Sequence, residues 1–325
     1  MTLRTKIGVF AALLIVTAPG IFCYNLHRAA QEICFRHEFG IMGTHSVFTF
    51  YAREIEARRA DRAALAAFAS VASACNLYDK TSELSRLNAA AAEKPFVCSD
   101  LLWKILCEAR RAYTETGGIF DISVKPLMDL WGFYRKRDTL PSPEEITRAK
   151  ALTGLDKVIF NDDEKSVFFP VKGMALDLGG IAKGFALDLG AQAAKTAGVE
   201  HGLLDLGGNL FLLKPQAGKE FFKIGIKDPG DTTKTIRADE VFQLAGNCAV
   251  STSGSYERFV TYGGKKYSHI IDPRSGAPSP MIHSATVVAP TAVQSDWMST
   301  SIYLDPSLKD RLTADGKSKA VIIEP

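Results

Sequence analysis

Hydrophobic and polar positions in the first part of the chain follow patterns typical of a strand and then of helices. Residues 45–51 alternate, with Val47 and Thr49 on one face and Phe48 and Phe50 on the other, which predicts a strand. Residues 53–77 are rich in alanine and carry their charges early, which predicts a long helix. Residues 99–116 predict a second helix, because Ser-Asp at its start is a good N-cap and Gly-Gly follows its end.

Further helices and short strands complete the predicted pattern. Ser142-Pro143-Glu144-Glu145 is a capping box with proline at the first helical position, and it predicts a helix to about residue 153. Helices are also expected over residues 186–197 and 291–303. Short strands are expected over residues 157–160, 166–169, 174–178, 221–226, 257–262, 267–271 and 319–323. Because helices and strands are segregated rather than strictly alternating, the pattern favours an α+β fold of mixed sheets and helices.

The N-terminal segment has a different character from the rest of the chain. Arg4 and Lys6 precede an uncharged stretch over residues 7–26, close to the about 20 residues that span a bilayer. Basic residues before an apolar run favour a cytoplasmic N-terminus and an extracytoplasmic domain. We therefore expect residues 1–27 to be an uncleaved inner-membrane anchor with the rest of the chain on the periplasmic side. A cleaved signal peptide is the second alternative, and lipidation at Cys23 the third, since bulky Phe22 precedes that cysteine.

The amino-acid composition of the chain excludes few classes of function. The chain has 39 Lys and Arg against 36 Asp and Glu, a net charge of +3, and no basic run that indicates a nucleic-acid partner. Its 6 cysteines lack zinc-like spacing. Cys98 and Cys107 are candidates for a disulfide in an oxidising compartment, but isolated cysteines more often act as small buried hydrophobic residues. We favour the second interpretation.

The segment Asp177-Leu178-Gly179-Gly180-Ile181-Ala182-Lys183-Gly184 carries the strongest chemical signal. It predicts a strand, a glycine turn and a helix, and such a junction directs free N–H groups towards phosphate. Lys183 adds a cation, and Asp177 is a candidate acceptor for hydroxyl or ring N–H donors. A purely structural turn is an equally good interpretation of this segment taken alone.

Other candidate residues are weaker when considered singly. Asp296 and Thr300 lie four residues apart on a predicted helix, so one face presents a carboxylate and a hydroxyl suited to Mg²⁺. His269, near the end of a predicted strand, is a candidate base, although most single strand histidines are structural. Thr252-Ser253-Gly254 resembles a turn with hydroxyl and amide donors, and Thr116-Gly117-Gly118-Ile119-Phe120-Asp121 a helix end that leads into a strand. Tyr78 is a candidate for stacking on an aromatic ligand.

The order of these motifs along the chain resembles the ApbE family of FAD:protein FMN transferases. The motifs are Met42-Gly43-Thr44, Tyr78-Asp79, the run from Gly117 to Phe133, the 177–184 segment, Thr252-Ser253-Gly254, Ser268-His269-Ile270-Ile271-Asp272-Pro273-Arg274 and the Asp296/Thr300 pair. The resemblance covers the whole chain after the N-terminal segment. It implies a single ApbE-like (T-fold-like) domain over residues 33–325.

The resemblance also implies roles for individual residues. His269 matches the catalytic histidine of the family. Gly180, through its carbonyl, Asp296 and Thr300 are expected to hold Mg²⁺. The residues expected to bind FAD are Met42, Tyr78, Ile119, Phe120, Asp121, Asp177, Lys183, Ser253, Gly254 and Asp272. Ser123 and Lys125 depart from the commoner Thr and Gly, and Trp297 and Met298 stand where small residues are usual.

The activity that the resemblance implies is Mg²⁺-dependent transfer of FMN from FAD to a Thr or Ser hydroxyl, with release of AMP. Acceptors of the family carry an Asp-x-x-[Ser/Thr]-[Gly/Ser]-Ala-Thr-like motif and include subunits of NADH:quinone reductases and Rnf-type complexes. Two alternatives stay open at this point. One is an FAD pyrophosphatase acting at the same site, and the other is a non-catalytic, membrane-tethered FAD-binding protein.

Overall fold

A computed structural model describes residues 31–228, 242–254, 258–279 and 282–324. The expected N-terminal anchor, residues 1–27, lies outside these ranges, as does Cys23. In the described part of the chain, no helix has both the length and the apolar character needed to span a bilayer.

The described residues form helices and strands that we number in chain order. Helices α1 to α8 are Glu54–Cys75, Glu83–Ala90, Asp100–Thr116, Lys125–Leu130, Pro143–Ala151, Ala182–Thr196, Ala292–Leu304 and Lys309–Leu312. Strands β1 to β8 are Glu32–Ile41, Thr44–Arg53, Phe96–Val97, Ile159–Asn161, Ser166–Phe168, His201–Leu206, Asn209–Leu212 and Phe222–Ile224. Strands β9 to β16 are Phe242–Leu244, Cys248–Gly254, Phe259–Tyr262, Lys265–Ser268, Ile271–Asp272, Ala277–Pro278, Ser284–Ala289 and Lys319–Ile323.

One large antiparallel sheet organises the fold. Its 7 strands follow the order β1-β2-β6-β7-β10-β15-β16, and each neighbouring pair is antiparallel. Helices α1, α6 and α7 are not inserted between parallel strands, as they would be in a doubly wound sheet. The prediction of an α+β fold is confirmed.

Helix α6 packs closely against both of its helical neighbours because glycine stands at each contact. In α1, buried Ala57, Ala60, Ala64, Phe68 and Val71 recur every three or four residues and form the face that meets the core. A Cβ atom at Gly190 of α6 would lie 2.5 Å from the Phe68 ring. At Gly184, a Cβ atom would lie 2.3 Å from the carbonyl oxygen of Ala292, the first residue of α7. Side chains at these two positions would push α1 and α7 away from α6.

The predicted helix ends are confirmed where capping chemistry defines them. The Ser99 hydroxyl accepts from the N–H of Leu102 at 3.2 Å, and α3 ends at Gly117 in the left-handed conformation, with φ of 63°. The Ser142–Glu145 capping box is present in both directions. Helix α5 ends at Ala151, and α6 begins at Ala182, earlier than expected.

Three local predictions are wrong. Residues 174–178 form no strand, since the N–H of Leu176 donates to Asn88 Oδ1 and that of Asp177 to the Ile122 carbonyl. The segment after Gly118 enters a 3₁₀ turn, Ile122–Val124, and α4 instead of a strand. Ser253 and its neighbours lie within β10 rather than in a turn, because β15 pairs with them as far as Gly254.

Cysteine pairing follows the favoured interpretation. Cys98 and Cys107 are free thiols, and Cys98 is buried. Burial raises the pKa of the Cys98 thiol to about 12, so that this side chain behaves as a small apolar group at neutral pH.

Candidate active site

A cavity of about 1330 Å³ lies between one end of the large sheet, the start of α6 and the small sheets of residues 259–278. Most of the residues singled out in the sequence line it. These are Met42, Tyr78, Ile119, Phe120, Asp121, Asp177, Gly180, Lys183, Ser253, His269, Asp296 and Thr300. The structure therefore brings residues from widely separated parts of the sequence to one concave surface.

Two predicted binding residues are absent from the described lining of this cavity, namely Gly254 and Asp272. Gly254 is the last residue of β10 and is paired with Ser284 of β15. The Asp272 carboxylate is engaged by its neighbour, because the Arg274 guanidinium donates to it at 2.8 Å. These contacts give both residues a structural role, and their expected part in FAD binding stays a prediction.

The side chain of Asp177 stabilises the glycine turn before α6. One carboxylate oxygen of Asp177 accepts from the N–H of Gly179 at 2.8 Å, and the other accepts from the Tyr134 hydroxyl at 2.6 Å. Asp177 is only 8% exposed, so both bonds are shielded from water. The hydroxyl that donates to Asp177 belongs to Tyr134, so contacts within the protein hold the glycine turn.

Asp296 is oriented by two donors from different elements. Its Oδ1 accepts from the Asn209 side chain at 2.8 Å, and its Oδ2 accepts from the N–H of Gly184 at 2.8 Å. The Lys183 ammonium lies 4.0 Å from Oδ1. Asp296 is 3% exposed, yet it reaches the cavity wall. These contacts tie the carboxylate to the first turn of α6.

Thr300 lies one helical turn beyond Asp296 and also faces the cavity. Its hydroxyl donates to the Asp296 carbonyl at 3.3 Å and lies 3.1 Å from the Ser253 hydroxyl. A Cβ atom at Gly180 would lie 3.6 Å from Thr300 Oγ1, which places the glycine turn directly beside this hydroxyl. A carboxylate, a hydroxyl and a main-chain carbonyl are hard oxygen donors, the type that Mg²⁺ prefers. Across the described residues, no cluster of three or more His, Cys, Asp or Glu side chains offers an alternative metal site.

His269 follows directly after β12 and is held by Arg258. Its main-chain N–H and its ring Nδ1 each lie 3.1 Å from the Arg258 carbonyl oxygen. Because a carbonyl only accepts, Nδ1 carries the proton and Nε2 keeps its lone pair in the neutral ring. Burial, with the Lys183 charge as the second cause, lowers the pKa of His269 to about 4. The imidazole is therefore neutral at pH 7, the state in which it can accept a proton.

An aromatic pair closes one side of the cavity. Tyr78 is 68% exposed, and its ring lies 5.4 Å from that of Tyr134, centroid to centroid. The Arg258 guanidinium donates to the Tyr78 hydroxyl at 2.8 Å and also to the Phe133 carbonyl. An exposed ring held at a cavity mouth is suited to stacking on a planar ligand.

The turn between β1 and β2 forms another part of the rim. Met42 and Gly43 both have positive φ, 51° and 73°. A two-residue hairpin loop with left-handed residues matches the twist of the flanking strands. This turn places Met42 on the cavity wall, in agreement with its predicted position.

Ile119, Phe120 and Asp121 are fixed by the end of α3. The N–H of Phe120 donates to the Thr116 hydroxyl at 3.0 Å, and Asp121 accepts from the N–H of Ser123 at 2.7 Å. Burial raises the pKa of the Asp121 carboxyl above its usual value. The three residues thus present two apolar side chains and one buried acid to the cavity.

Sequence reasoning missed three residues that organise this site: Tyr134, Asn209 and Arg258. The second Asp-Leu-Gly-Gly motif, at 205–208, was a usable signal for Asn209, which follows it directly. The structure pairs β6 and β7 around that motif, and so places Asn209 against Asp296. No local pattern marks Tyr134 or Arg258, because their partners are far away in the sequence.

The departures from the expected motifs lie outside the cavity wall. The Lys125 ammonium pairs with Asp129 at 2.5 Å and lies 4.4 Å from the centre of the Tyr134 ring. Trp297 and Met298 point to the side of α7 opposite the cavity, where they line a smaller cavity of about 320 Å³. Neither bulky side chain is among the residues that line the larger cavity with Asp296 and Thr300.

The sequence pattern that defines the ApbE family matches residues 42–322. The chain belongs to the ApbE family. Among curated relatives, an FAD:protein FMN transferase of Vibrio cholerae is 31% identical over 228 residues, 69% of this chain and 67% of that protein. One of Haemophilus influenzae is 30% identical over 233 residues, 70% of this chain and 67% of that protein.

Solved structures of ApbE proteins share the fold. The crystal structure of the ApbE protein of Thermotoga maritima superposes with a TM-score of 0.81 and 28% identity, covering 89% of this chain and 94% of that one. A Vibrio cholerae flavin transferase ApbE superposes with a TM-score of 0.75 at 24% identity. The resemblance found in the sequence motifs and the single ApbE-like fold are both confirmed.

Proposed function

We propose that this chain is an FAD:protein FMN transferase, which moves FMN from FAD to a hydroxyl side chain of another protein. One observation supports this above all. His269, neutral and with a lone pair on Nε2, lines the same cavity as the glycine turn before α6 and the oxygen donors of Asp296 and Thr300. Such a site offers a base for a hydroxyl nucleophile and a place for a pyrophosphate. The naming of the relatives supports the same activity.

The glycine turn is the natural site for the pyrophosphate of FAD. The positive end of α6 favours anionic oxygens. Four N–H groups of the turn and the first helical residues already donate within the protein, those of Gly179, Ile181, Ala182 and Gly184. The Lys183 ammonium adds a full charge at that point and is 27% exposed, so it remains accessible to a ligand. Tyr78 and Tyr134 offer a ring surface for the planar flavin.

Asp296, Thr300 and the Gly180 carbonyl fit a magnesium ion by the chemistry of their donor atoms. Asn209 and the N–H of Gly184 orient the Asp296 carboxylate in the manner of residues that support metal ligands. When bound, Mg²⁺ would neutralise negative charge on the two phosphates of FAD.

His269 would act on the nucleophile. The acceptor hydroxyl passes its proton to Nε2 while its oxygen forms a bond to the phosphorus of the FMN phosphate. The bond from that phosphorus to the bridging oxygen breaks, and AMP leaves with the bridging oxygen. Lys183 and the positive end of α6 hold the phosphate in place through this displacement, since positioning and charge dominate such reactions.

A single assay separates the three candidate activities. The protein is incubated with FAD, Mg²⁺ and a purified acceptor carrying the Asp-x-x-[Ser/Thr]-[Gly/Ser]-Ala-Thr-like motif. We expect flavin fluorescence on the denatured acceptor band and one AMP per labelled acceptor. The matched control is the same acceptor with its motif Ser or Thr replaced by Ala, which should remain unlabelled. Free FMN and AMP without label would identify a pyrophosphatase, and tight FAD retention without AMP a binding protein; either result rejects the proposal.

We further propose that the chain works at the outer face of the inner membrane, on acceptors such as NADH:quinone reductase or Rnf-type subunits. The basic residues before the uncharged stretch 7–26 support this orientation. Cell fractionation of the full chain and of a variant lacking residues 1–27 is the test. We expect the full chain in the inner-membrane fraction, digestible by protease added to spheroplasts. Full chain recovered in the cytoplasm would contradict the proposal.

A further inference from the structure

Arg258 contacts three parts of the active-site cavity at once. Its guanidinium donates to the Tyr78 hydroxyl at 2.8 Å and to the Phe133 carbonyl, and its own carbonyl receives both bonds from His269. These partners come from the loop after α1, the segment after α4 and the residue after β12. Arg258 therefore connects the base to the aromatic side of the cavity.

The contacts of the guanidinium are those of a residue that fixes geometry. Its carbon lies 5.8 Å from the centre of the Phe133 ring and 5.5 Å from that of Tyr134, within the range of cation–π attraction. Tyr134 in turn donates to Asp177, which supports the glycine turn. Tyr78 is mostly exposed, so without the bond from Arg258 its ring would lose the polar contact that restrains it.

We propose that Arg258 is a positioning residue, which fixes the Tyr78 ring and the His269 side chain relative to each other at the cavity mouth. The inference rests on the proposed transferase function, which it deepens. The guanidinium restrains Tyr78 for flavin binding. By holding the Phe133 carbonyl, it also holds the main chain at residue 258, whose carbonyl orients the His269 ring. Arg258 itself needs no contact with the reacting phosphate.

The role predicts a specific pattern in a double-mutant cycle of Arg258→Met and Tyr78→Phe. Tyr78→Phe removes only the hydroxyl that receives the bond, and should weaken equilibrium FAD binding about tenfold. Arg258→Met should weaken FAD binding by a similar factor, and the double variant no further than Arg258→Met alone. Arg258→Met should in addition lower kcat about tenfold or more, through the displaced His269, whereas Tyr78→Phe should leave kcat nearly unchanged.

Two further variants complete the experiment. Lys125→Met removes another cation that lies against Tyr134 but that pairs with Asp129, so FAD affinity and kcat should stay near wild type. Arg258→Lys keeps a positive donor and should recover part of the lost FAD affinity. Two outcomes would overturn the proposal. One is that the losses of FAD affinity in the two single variants multiply in the double variant. The other is that the loss in Arg258→Met is fully explained by a smaller folded fraction, as measured by thermal melting.

FAD affinity is measured by quenching of flavin fluorescence, without any acceptor protein. The coupling between Arg258 and Tyr78 is therefore readable even if the wild-type chain transfers no FMN. Absence of transfer in the wild type would reject the proposed function, while absence of coupling in FAD binding would reject the role of Arg258. The two failures are distinguishable.

Discussion

The carbonyl oxygen of Arg258 accepts hydrogen bonds from both the main-chain N–H and the ring Nδ1–H of His269, each with an N···O distance of 3.1 Å. This double contact fixes the ring in one tautomer and leaves Nε2 as its only proton acceptor. A histidine held in this way at a cavity wall has the arrangement expected of a general base.

The first prediction concerns pH. Because the pKa of His269 is lowered to about 4, the base should be fully competent from about pH 6 upward and should be lost as pH falls through about 4. Single-turnover transfer rates at saturating FAD should therefore show an acid limb with a midpoint near the depressed pKa. Lys183→Met removes the second cause of the shift and should move the midpoint to higher pH. A wild-type midpoint at the ordinary value of 6.5 would contradict this account.

The same pKa has a consequence for stability. Between about 6.5 and about 4 the unfolded chain binds a proton at residue 269 that the folded chain does not, so stability falls as pH is lowered through this window. In His269→Ala the free energy of unfolding should depend less on pH over this range. Urea unfolding at several pH values measures the difference, and an unchanged dependence would argue against a buried neutral imidazole.

A further prediction is that His269→Ala retains FAD binding and loses transfer of FMN to the acceptor. Removing a general base usually costs about 10² to 10⁴ in rate. Transfer is followed by fluorescence of the labelled acceptor, and FAD binding by flavin quenching. His283→Ala is the matched control, because its side chain is exposed and is absent from the cavity lining. Near-normal transfer by His269→Ala would remove this residue from the mechanism.

Asn209→Ala should change the magnesium requirement without removing a proposed ligand. The Asp296 carboxylate would keep the bond from Gly184 but lose the one from Asn209. Loss of such a supporting contact typically weakens a metal about 10- to 100-fold. The Mg²⁺ concentration for half-maximal transfer should rise accordingly. Asn88→Ala, which also loses part-buried amide bonds but lies outside the cavity lining, should lower the Tm and leave this concentration unchanged.

Gly184→Ala should destabilise the fold at the contact between α6 and α7. The added Cβ would lie 2.3 Å from the Ala292 carbonyl oxygen, so the helices must separate. Overpacking of this kind costs about 1 to 3 kcal/mol, or a fall in Tm of several degrees in thermal melting. Gly40→Ala is the control, since a Cβ atom there meets nothing within 4 Å. Equal melting temperatures for the two variants would contradict the packing argument.

Local chemistry explains why some elements were predictable from the sequence. The Ser142–Glu145 capping box and the Ser99 N-cap involve residues three apart, so the sequence contains both partners of each bond. The 177–184 segment could be placed before a helix for the same reason. Elements whose partners are distant were missed or misassigned. The N–H of Leu176 finds Asn88 rather than a neighbouring strand, and β10 extends through Ser253 because β15 pairs with it.

The candidate site shows the same division. His269, Asp296 and Lys183 were identified because each lies in a recognisable motif of the ApbE family. The residues that orient them, Arg258 and Asn209, act through contacts that only folding creates: 11 residues separate Arg258 from His269, and 87 separate Asn209 from Asp296. Gly254 and Asp272 were singled out from the same family motifs, and their contacts in the structure are with Ser284 and Arg274.

The bond from the Gly184 N–H to Asp296 Oδ2 ties the glycine turn, the proposed pyrophosphate site, to the carboxylate proposed to hold the metal. The glycine turn and the Asp296 carboxylate therefore do not move independently of each other. A change that reshapes the turn for a different nucleotide would also displace the carboxylate, so we expect specificity for the donor nucleotide and for the proposed metal to change together.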